Sequence, residues 1–193
     1  RTHVAVRGTT PGGLMSLETP RLTLRACSPE QLLALIEQPE RFEHLTGLPA
    51  AEGLHGLYVS GDVSPQWVAA LREASGPDPW RHGFFVVHRE RRCVIGSGGY
   101  KGAPDATGIV EIAYGIAPSY EGHGYATEAA AALVAFAFDQ GARLVRAHTL
   151  PVANASTRVL RKCGFCHVGP VIDSDDGPVW RWERAPGLIG PTL

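Results

Sequence analysis

Between Ile109 and Gln140 the chain passes with no long loop from an apolar run, Ile109-Val110-Glu111-Ile112-Ala113-Tyr114-Gly115-Ile116, into an alanine-rich amphipathic segment. The link is a turn holding two glycines, Tyr120-Glu121-Gly122-His123-Gly124, and the following residues Tyr125-Ala126-Thr127-Glu128 begin a helix. This order restricts the fold more than any other stretch, because strand, glycine turn and helix must be consecutive and in contact. It also suggests chemistry. The first N–H groups of a helix lack internal partners and carry the positive end of its dipole, so a turn thin enough for close approach cradles an anion. Glycine supplies the thinness and tolerates positive φ.

The common nucleotide motifs fit poorly. No Gly-Lys-Ser/Thr follows the glycines, and the turn is not the first of a dinucleotide-binding βαβ unit with a downstream acidic residue. The expected ligand is therefore another molecule with a diphosphate, and the alternative is a tight strand-to-helix turn with no ligand.

At 193 residues and 44% hydrophobic content the chain suits one domain with its own core. A formal charge of −1 without a basic run gives no footprint for nucleic acid or an anionic membrane, so neither is expected as a partner. The longest apolar run, around Ala129 to Phe138, is too short to span a bilayer, and a cytoplasmic location is the expectation. Four cysteines, at 27, 93, 163 and 166, are too few and uneven for a disulfide framework. Cys163-Gly164-Phe165-Cys166 has no second CxxC and reads as a helix stop running into a strand rather than a metal or redox site, so no metal is expected.

Residues 1–14 show no periodicity, and the only methionine, Met15, precedes the first patterned segment. Met15 is read as the natural start, with 1–14 a flexible or added extension, 15–185 the folded domain and 186–193 a tail. Alternation of Leu22, Leu24 and Ala26 against Thr23 and Arg25 predicts a strand, and Ser28 with Pro29 opens a helix through Ile36. Residues 38–62 read as loop with short helical pieces, and Ser64-Pro65 starts a helix that ends before Gly76-Pro77. Strands follow over Phe84–Arg89, Cys93–Tyr100 and Ile109–Ile116, then a helix to Gln140 with Ala126, Ala130, Leu133 and Ala137 on one face. Leu144–Leu150 is a strand, Asn154 or Ser156 caps a helix to Lys162, and Phe165–Val171 and Val179–Glu183 close the chain around an acidic loop. The sum is an α+β domain.

Several blocks in fixed order resemble the GNAT superfamily of acetyl-CoA-dependent N-acetyltransferases, RimJ/RimL-like branch. They are Glu18-Thr19-Pro20-Arg21-Leu22-Thr23-Leu24-Arg25, Ile95-Gly96-Ser97-Gly98-Gly99, Glu111 to Ile116, Glu121 to Ala129, and Thr149 to Phe165 with Asn154-Ala155-Ser156-Thr157-Arg158-Val159-Leu160. The resemblance spans most of residues 17–183. It implies a single central, mostly antiparallel sheet of about six to seven strands flanked by helices and splayed between the fourth and fifth strands. The pantetheine arm of acetyl-CoA would enter the splay. Carried over by position, Gly122, His123, Gly124, Ala126 and Thr127 would hold the pyrophosphate. Ile116 and Ala117 would offer main-chain groups to pantetheine, and Asn154 would hydrogen-bond the cofactor. Glu121 departs from the pattern, since relatives carry Gln or Arg there and a carboxylate repels a diphosphate. Its side chain is expected to turn to solvent.

The implied reaction moves an acetyl group to a primary amine, on a protein N-terminus or a small molecule, by direct attack in a ternary complex. A base must then stand near the splay. Glu111 is the candidate catalytic residue, an acidic group in an apolar strand, on the face it shares with Ile109, Ala113 and Gly115. The alternative is a solvent-facing or structurally hydrogen-bonded carboxylate. The tyrosine that many relatives use as general acid is replaced by Arg161, leaving Tyr100, Tyr114, Ser156 or water. That replacement keeps a second function open, a non-catalytic acyl-CoA sensor. The acidic residues Asp173, Asp175 and Asp176 either attract a cationic amine or are simply solvated, and a homodimer is allowed.

Overall fold

The computed structural model describes residues 5–7, 15–59 and 64–187, with only the backbone described for 5–7. Of the expected N-terminal extension only Ala5–Arg7 is therefore described, and the end of the tail lies outside the described residues.

Three short strands open the chain, β1 (Ala5–Arg7), β2 (Ser16–Glu18) and β3 (Leu22–Ala26). Helix α1 (Pro29–Glu37) follows, started by a reciprocal cap: Ser28 accepts the Gln31 N–H while the Gln31 side chain accepts the Ser28 N–H. The segment read as loop contains a 3₁₀ turn (Pro39–Arg41), α2 (Phe42–Thr46) and α3 (Gly56–Val59), followed by α4 (Pro65–Glu73) and α5 (Pro79–His82). Then come β4 (Phe84–His88), β5 (Cys93–Tyr100), β6 (Ile109–Ile116), a second 3₁₀ turn (Pro118–Tyr120) and α6 (Tyr125–Asp139). The chain closes with β7 (Leu144–Thr149), α7 (Ala155–Lys162), β8 (Cys166–Asp173) and β9 (Gly177–Arg184).

One sheet orders these strands β1-β2-β3-β4-β5-β6-β7-β9-β8. Among the described strands only β6 and β7 pair in parallel, joined by the crossover through α6. The α+β class and splayed sheet are as expected, but the described residues hold nine strands rather than six to seven. The two additional strands, β1 and β2, have three residues each, too few for a period-2 pattern to register. The acidic loop also shrinks, because β8 and β9 pair out to Asp173↔Gly177 and leave only a tight turn.

Two cores form on opposite faces of the sheet. The face under α6 buries Phe84, Ile112, Leu133, Phe136, Val145 and Trp182; the other buries Leu35, Phe42, Leu54, Phe85 and Val94 beneath the α1–α4 layer. Glycine in β5 decides how close α6 comes: a Cβ on Gly98 would stand 2.8 Å from Leu133 Cδ1. On β6, a Cβ at Gly115 would meet Leu57 at 3.4 Å, which places Gly115 on the α3 side. By strand alternation Glu111 and Ala113 share that face, while Ile112, Tyr114 and Ile116 face α6.

Candidate active site

The parallel ladder between β6 and β7 has only three registered pairs, Ile109↔Leu144, Val110↔Val145 and Glu111↔Arg146. Beyond Glu111 the strands part. On its other edge β6 stays paired with β5 through Gly96↔Ile116, with the Ala117 N–H donating to Ile95 O and the Lys101 N–H to Glu111 O. In an antiparallel pair the residues that bond the partner alternate with those whose peptide groups point away. Since Lys101 and Ile95 engage Glu111 and Ala117, it is Tyr114 and Ile116 that direct their N–H and C=O toward the opening. Ile116 thus presents main-chain groups there. Ala117 does so less freely, because its N–H is spent on Ile95 and its carbonyl accepts the Tyr120 N–H.

At the far end of β6 the glycine turn meets α6. Gly122 and Gly124 are left-handed, at φ +78° and +82°, and Gly124 is the N-cap with no side-chain capping bond. The first helical bond is Glu128 N–H to Gly124 O. The N–H groups of Gly122, His123, Gly124, Tyr125, Ala126 and Thr127 have no acceptor among the described residues, so six successive donors are left at the turn and helix start that follow β6. The His123 ring turns back on the turn, its Nδ1 donating to Glu121 O at 2.7 Å, and stacks on Tyr125. Glu121 is exposed, and its carboxylate has no hydrogen-bond or ion-pair partner among the described residues.

The helix start is anchored from behind. Glu128 accepts from Thr19 Oγ1 at 2.7 Å, from the Arg21 N–H at 2.8 Å and from Arg21 Nε at 2.7 Å, and Arg21 also donates to His123 O at 2.9 Å. Burial alone would raise the Glu128 carboxyl, but the hydrogen bonds from Thr19 and Arg21 and the Arg21 charge outweigh it and hold the group below its ordinary value. This bracket ties the turn to β3 and was not readable as a contact from the sequence.

A cleft of about 190 Å³ passes through the splay, lined by Glu111, Tyr114, His148 and Ser156 with Lys101 and Asp176 at one side. Glu111 does not stand alone there. Its Oε1 lies 2.9 Å from Lys101 Nζ and 3.1 Å from His148 Nδ1, and Lys101 reaches Asp176 at 3.7 Å. Desolvation by itself would lower the Lys101 ammonium, yet the Glu111 bond and the charges of Glu111, Asp176 and Asp173 hold it above the usual lysine value.

The remaining acid–base candidates separate. Tyr100 donates to Leu133 O at 2.6 Å inside the core, so its hydroxyl is committed to packing α6. Tyr114 lines the cleft; burial pushes its phenol up, against a smaller opposing effect of the Ser156 hydroxyl. Arg161 lies over the Trp182 ring at 5.4 Å. Asn154 is the N-cap of α7: its Oδ1 accepts the Thr157 N–H at 3.0 Å, which leaves its amide nitrogen for a ligand. All four cysteines are free. Burial raises the Cys163 thiol to about 11, whereas Cys166 is exposed. Among the described residues no cluster of metal-ligating side chains occurs, and no helix is long and apolar enough to cross a membrane.

Residues 21–166 match the model of the acetyltransferase (GNAT) domain family. No curated protein matches the chain by sequence. Solved structures do. A ribosomal-protein-S5-alanine acetyltransferase from Vibrio fischeri aligns with a TM-score of 0.61 at 16% identity, covering 91% of this chain and 99% of that one. Mycobacterium smegmatis RimJ, in complex with a CoA-disulfide, aligns at 0.58 and 20% identity, covering 86% and 82%. The microcin C7 self-immunity acetyltransferase in complex with acetyl-CoA and AMP aligns at 0.54 and 14% identity, covering 86% and 93%. At such identities the likeness is one of fold.

Proposed function

The chain belongs to the acetyltransferase (GNAT) domain family, and from that premise we propose that it transfers the acetyl group of acetyl-CoA to a primary amine by direct attack in a ternary complex. The observation that carries this reading is the conjunction at the end of β6: six N–H groups across the glycine turn and the start of α6 with no partner among the described residues, beside a splay toward which Tyr114 and Ile116 turn their peptide groups. The residues fit the co-substrate. Gly122, His123, Gly124, Ala126 and Thr127 would hold the diphosphate through main-chain donors, the Ile116 peptide would take a pantetheine amide, and the Asn154 amide nitrogen would donate to the cofactor.

The acceptor would approach the α3 side of the sheet, where Glu111, Ala113 and Gly115 leave room. Glu111 is the proposed carboxylate of the acid–base machinery there. The acceptor class is a protein N-terminus or a small-molecule amine, and a dedicated tyrosine acid is dispensable because a thiol is a good leaving group. The test is release of coenzyme A thiol with a panel of small amines and N-terminal peptides, using wild type and Glu111→Gln. Amine-dependent release, strongly reduced in the variant, is the expected result. Tight acetyl-CoA binding without amine-dependent release would establish the sensor instead, and unchanged turnover in Glu111→Gln would remove Glu111 from the mechanism.

A further inference from the structure

We infer that His148, which rests here on the acetyl-transfer reading above, is a catalytic residue: its imidazole takes the proton of the attacking amine and returns it to the departing thiolate, with Glu111 as the positioning residue. Three strands bring this group together. Glu111 comes from β6, His148 from β7 and Arg181 from β9, where Arg181 is registered opposite His148. The partners fix the tautomer. Arg181 Nε lies 3.4 Å from His148 Nε2, and a guanidinium can only donate, so Nε2 carries the lone pair. The proton then sits on Nδ1 and is donated to Glu111 Oε1 at 3.1 Å. An imidazole oriented by a carboxylate through one nitrogen, with a bare second nitrogen, is the arrangement that general base catalysis requires.

The neighbours favour His148 over Glu111 for contact with the amine. Glu111 Oε1 already holds two donors, His148 and Lys101, and the other carboxylate at the cleft, Asp176, is also paired with Lys101. Among the described residues His148 Nε2 has only the long contact from Arg181, which an amine can displace. The side chain is 8% exposed yet lines the cleft, so it faces the reaction path rather than bulk water. Asp173 of β8 stands 3.9 Å from Nδ1 and completes the charged surroundings, with Glu111, Arg181 and, through Glu111, Lys101.

The step balances without another reagent. The neutral amine nitrogen bonds to the acetyl carbon, its proton passes to Nε2, and the C–S bond breaks. The imidazolium, held by Glu111, gives that proton to the thiolate, which leaves amide, thiol and the original neutral imidazole. One group serves as base and then as acid, which accounts for a site whose usual tyrosine position is Arg161, parked on Trp182.

The experiment measures steady-state kinetics of the whole chain with the best amine of the panel, alongside ¹⁵N resonances of the imidazoles. We expect His148→Gln to lower kcat by about 10²-fold or more with KM for acetyl-CoA unchanged. Added imidazole should restore part of the turnover of His148→Gly, and the double variant Glu111→Gln/His148→Gln should be no slower than His148→Gln, since Glu111 acts through His148. In the wild type at rest the His148 shifts should report Nδ1–H and bare Nε2, a readout that survives if a variant fails to fold. Turnover of His148→Gln within a few-fold of wild type, multiplicative losses in the double variant, or a resting Nε2–H tautomer would each overturn the assignment. A wild type that acetylates no amine overturns the acetyl-transfer reading itself, whereas an active wild type indifferent to His148 overturns only this inference.

Discussion

Replacing Gly122 by alanine should separate the binding role of the turn from its structural role. Gly122 sits at φ +78° with no atom within 4 Å of where a Cβ would lie, so nothing in the protein clashes with the added methyl. The intrinsic cost is the left-handed backbone, about 1–2 kcal/mol for a non-glycine residue. For a chain of 193 residues that corresponds to a fall in Tm of about 2 to 8 °C. Ligand affinity should suffer separately, because on the proposed reading the methyl would stand where a diphosphate approaches the N–H groups. Loss of a single hydrogen bond to a charged oxygen is worth about 1.5–3 kcal/mol, so Kd for acetyl-CoA should rise by about tenfold or more. Gly141, just past α6, provides the control, with φ +91° and equally open space but far along the chain from the turn. Gly141→Ala should show a similar Tm loss by calorimetry and no change in Kd by titration calorimetry. If Gly122→Ala and Gly141→Ala lose Tm alike and both keep wild-type affinity, the turn does not hold the diphosphate.

Glu121→Gln should leave acetyl-CoA affinity unchanged or tighten it, since the exposed carboxylate makes no bond among the described residues and would only repel a diphosphate held by the turn; weaker binding by titration calorimetry would give the carboxylate a positive role. Tyr100→Phe should cost about 1 kcal/mol through the lost bond to Leu133 O, with kcat unaltered, and a large fall in kcat would return Tyr100 to the chemistry. Glu128 supplies a pH dependence. Its carboxyl is held below its ordinary value in the folded state, so its contribution is fully present above the unfolded glutamate pKa, about 4.3, and is lost as pH falls through the lower folded value. The Tm gap between wild type and Glu128→Gln should therefore be widest at neutral pH and close in acid; a gap that widens on acidification would contradict the Thr19 and Arg21 bracket.

What the chain discloses before folding depends on whether a feature is carried by neighbours in sequence or by neighbours across strands. The strand from Ile109 to Ile116, the turn and the start of α6 are contiguous, and their periodicity, glycines and caps locate them to within a residue or two. A cap for α7 at Asn154 or Ser156 follows from the same local rules, and Asn154 takes the position. Strands β1 and β2 escape because three residues hold no period, and their pairing comes from register with β3 rather than from their own pattern. The carboxylate bracket at Glu128 escapes for a related reason, since Thr19 and Arg21 lie more than a hundred residues away.

The surroundings of Glu111 show the same limit most sharply. Alternation along β6 places Glu111 on the face it shares with Ala113 and Gly115, but alternation on one strand cannot say which residue of another strand stands opposite. Lys101, just past β5, joins His148 of β7 and Arg181 of β9, and each is unremarkable in its own segment. A parallel ladder that stops at Glu111↔Arg146 brings them together: two residues further along β7, past the last pair, His148 reaches back across the opening to Glu111. Had the ladder continued, Ala113 would have taken a partner on β7 and the cleft beside Glu111 would be closed. On the proposed reading the early end of pairing makes both the route for the thioester and the dyad beside it, so a substitution that extends β6–β7 pairing should impair cofactor binding and chemistry together.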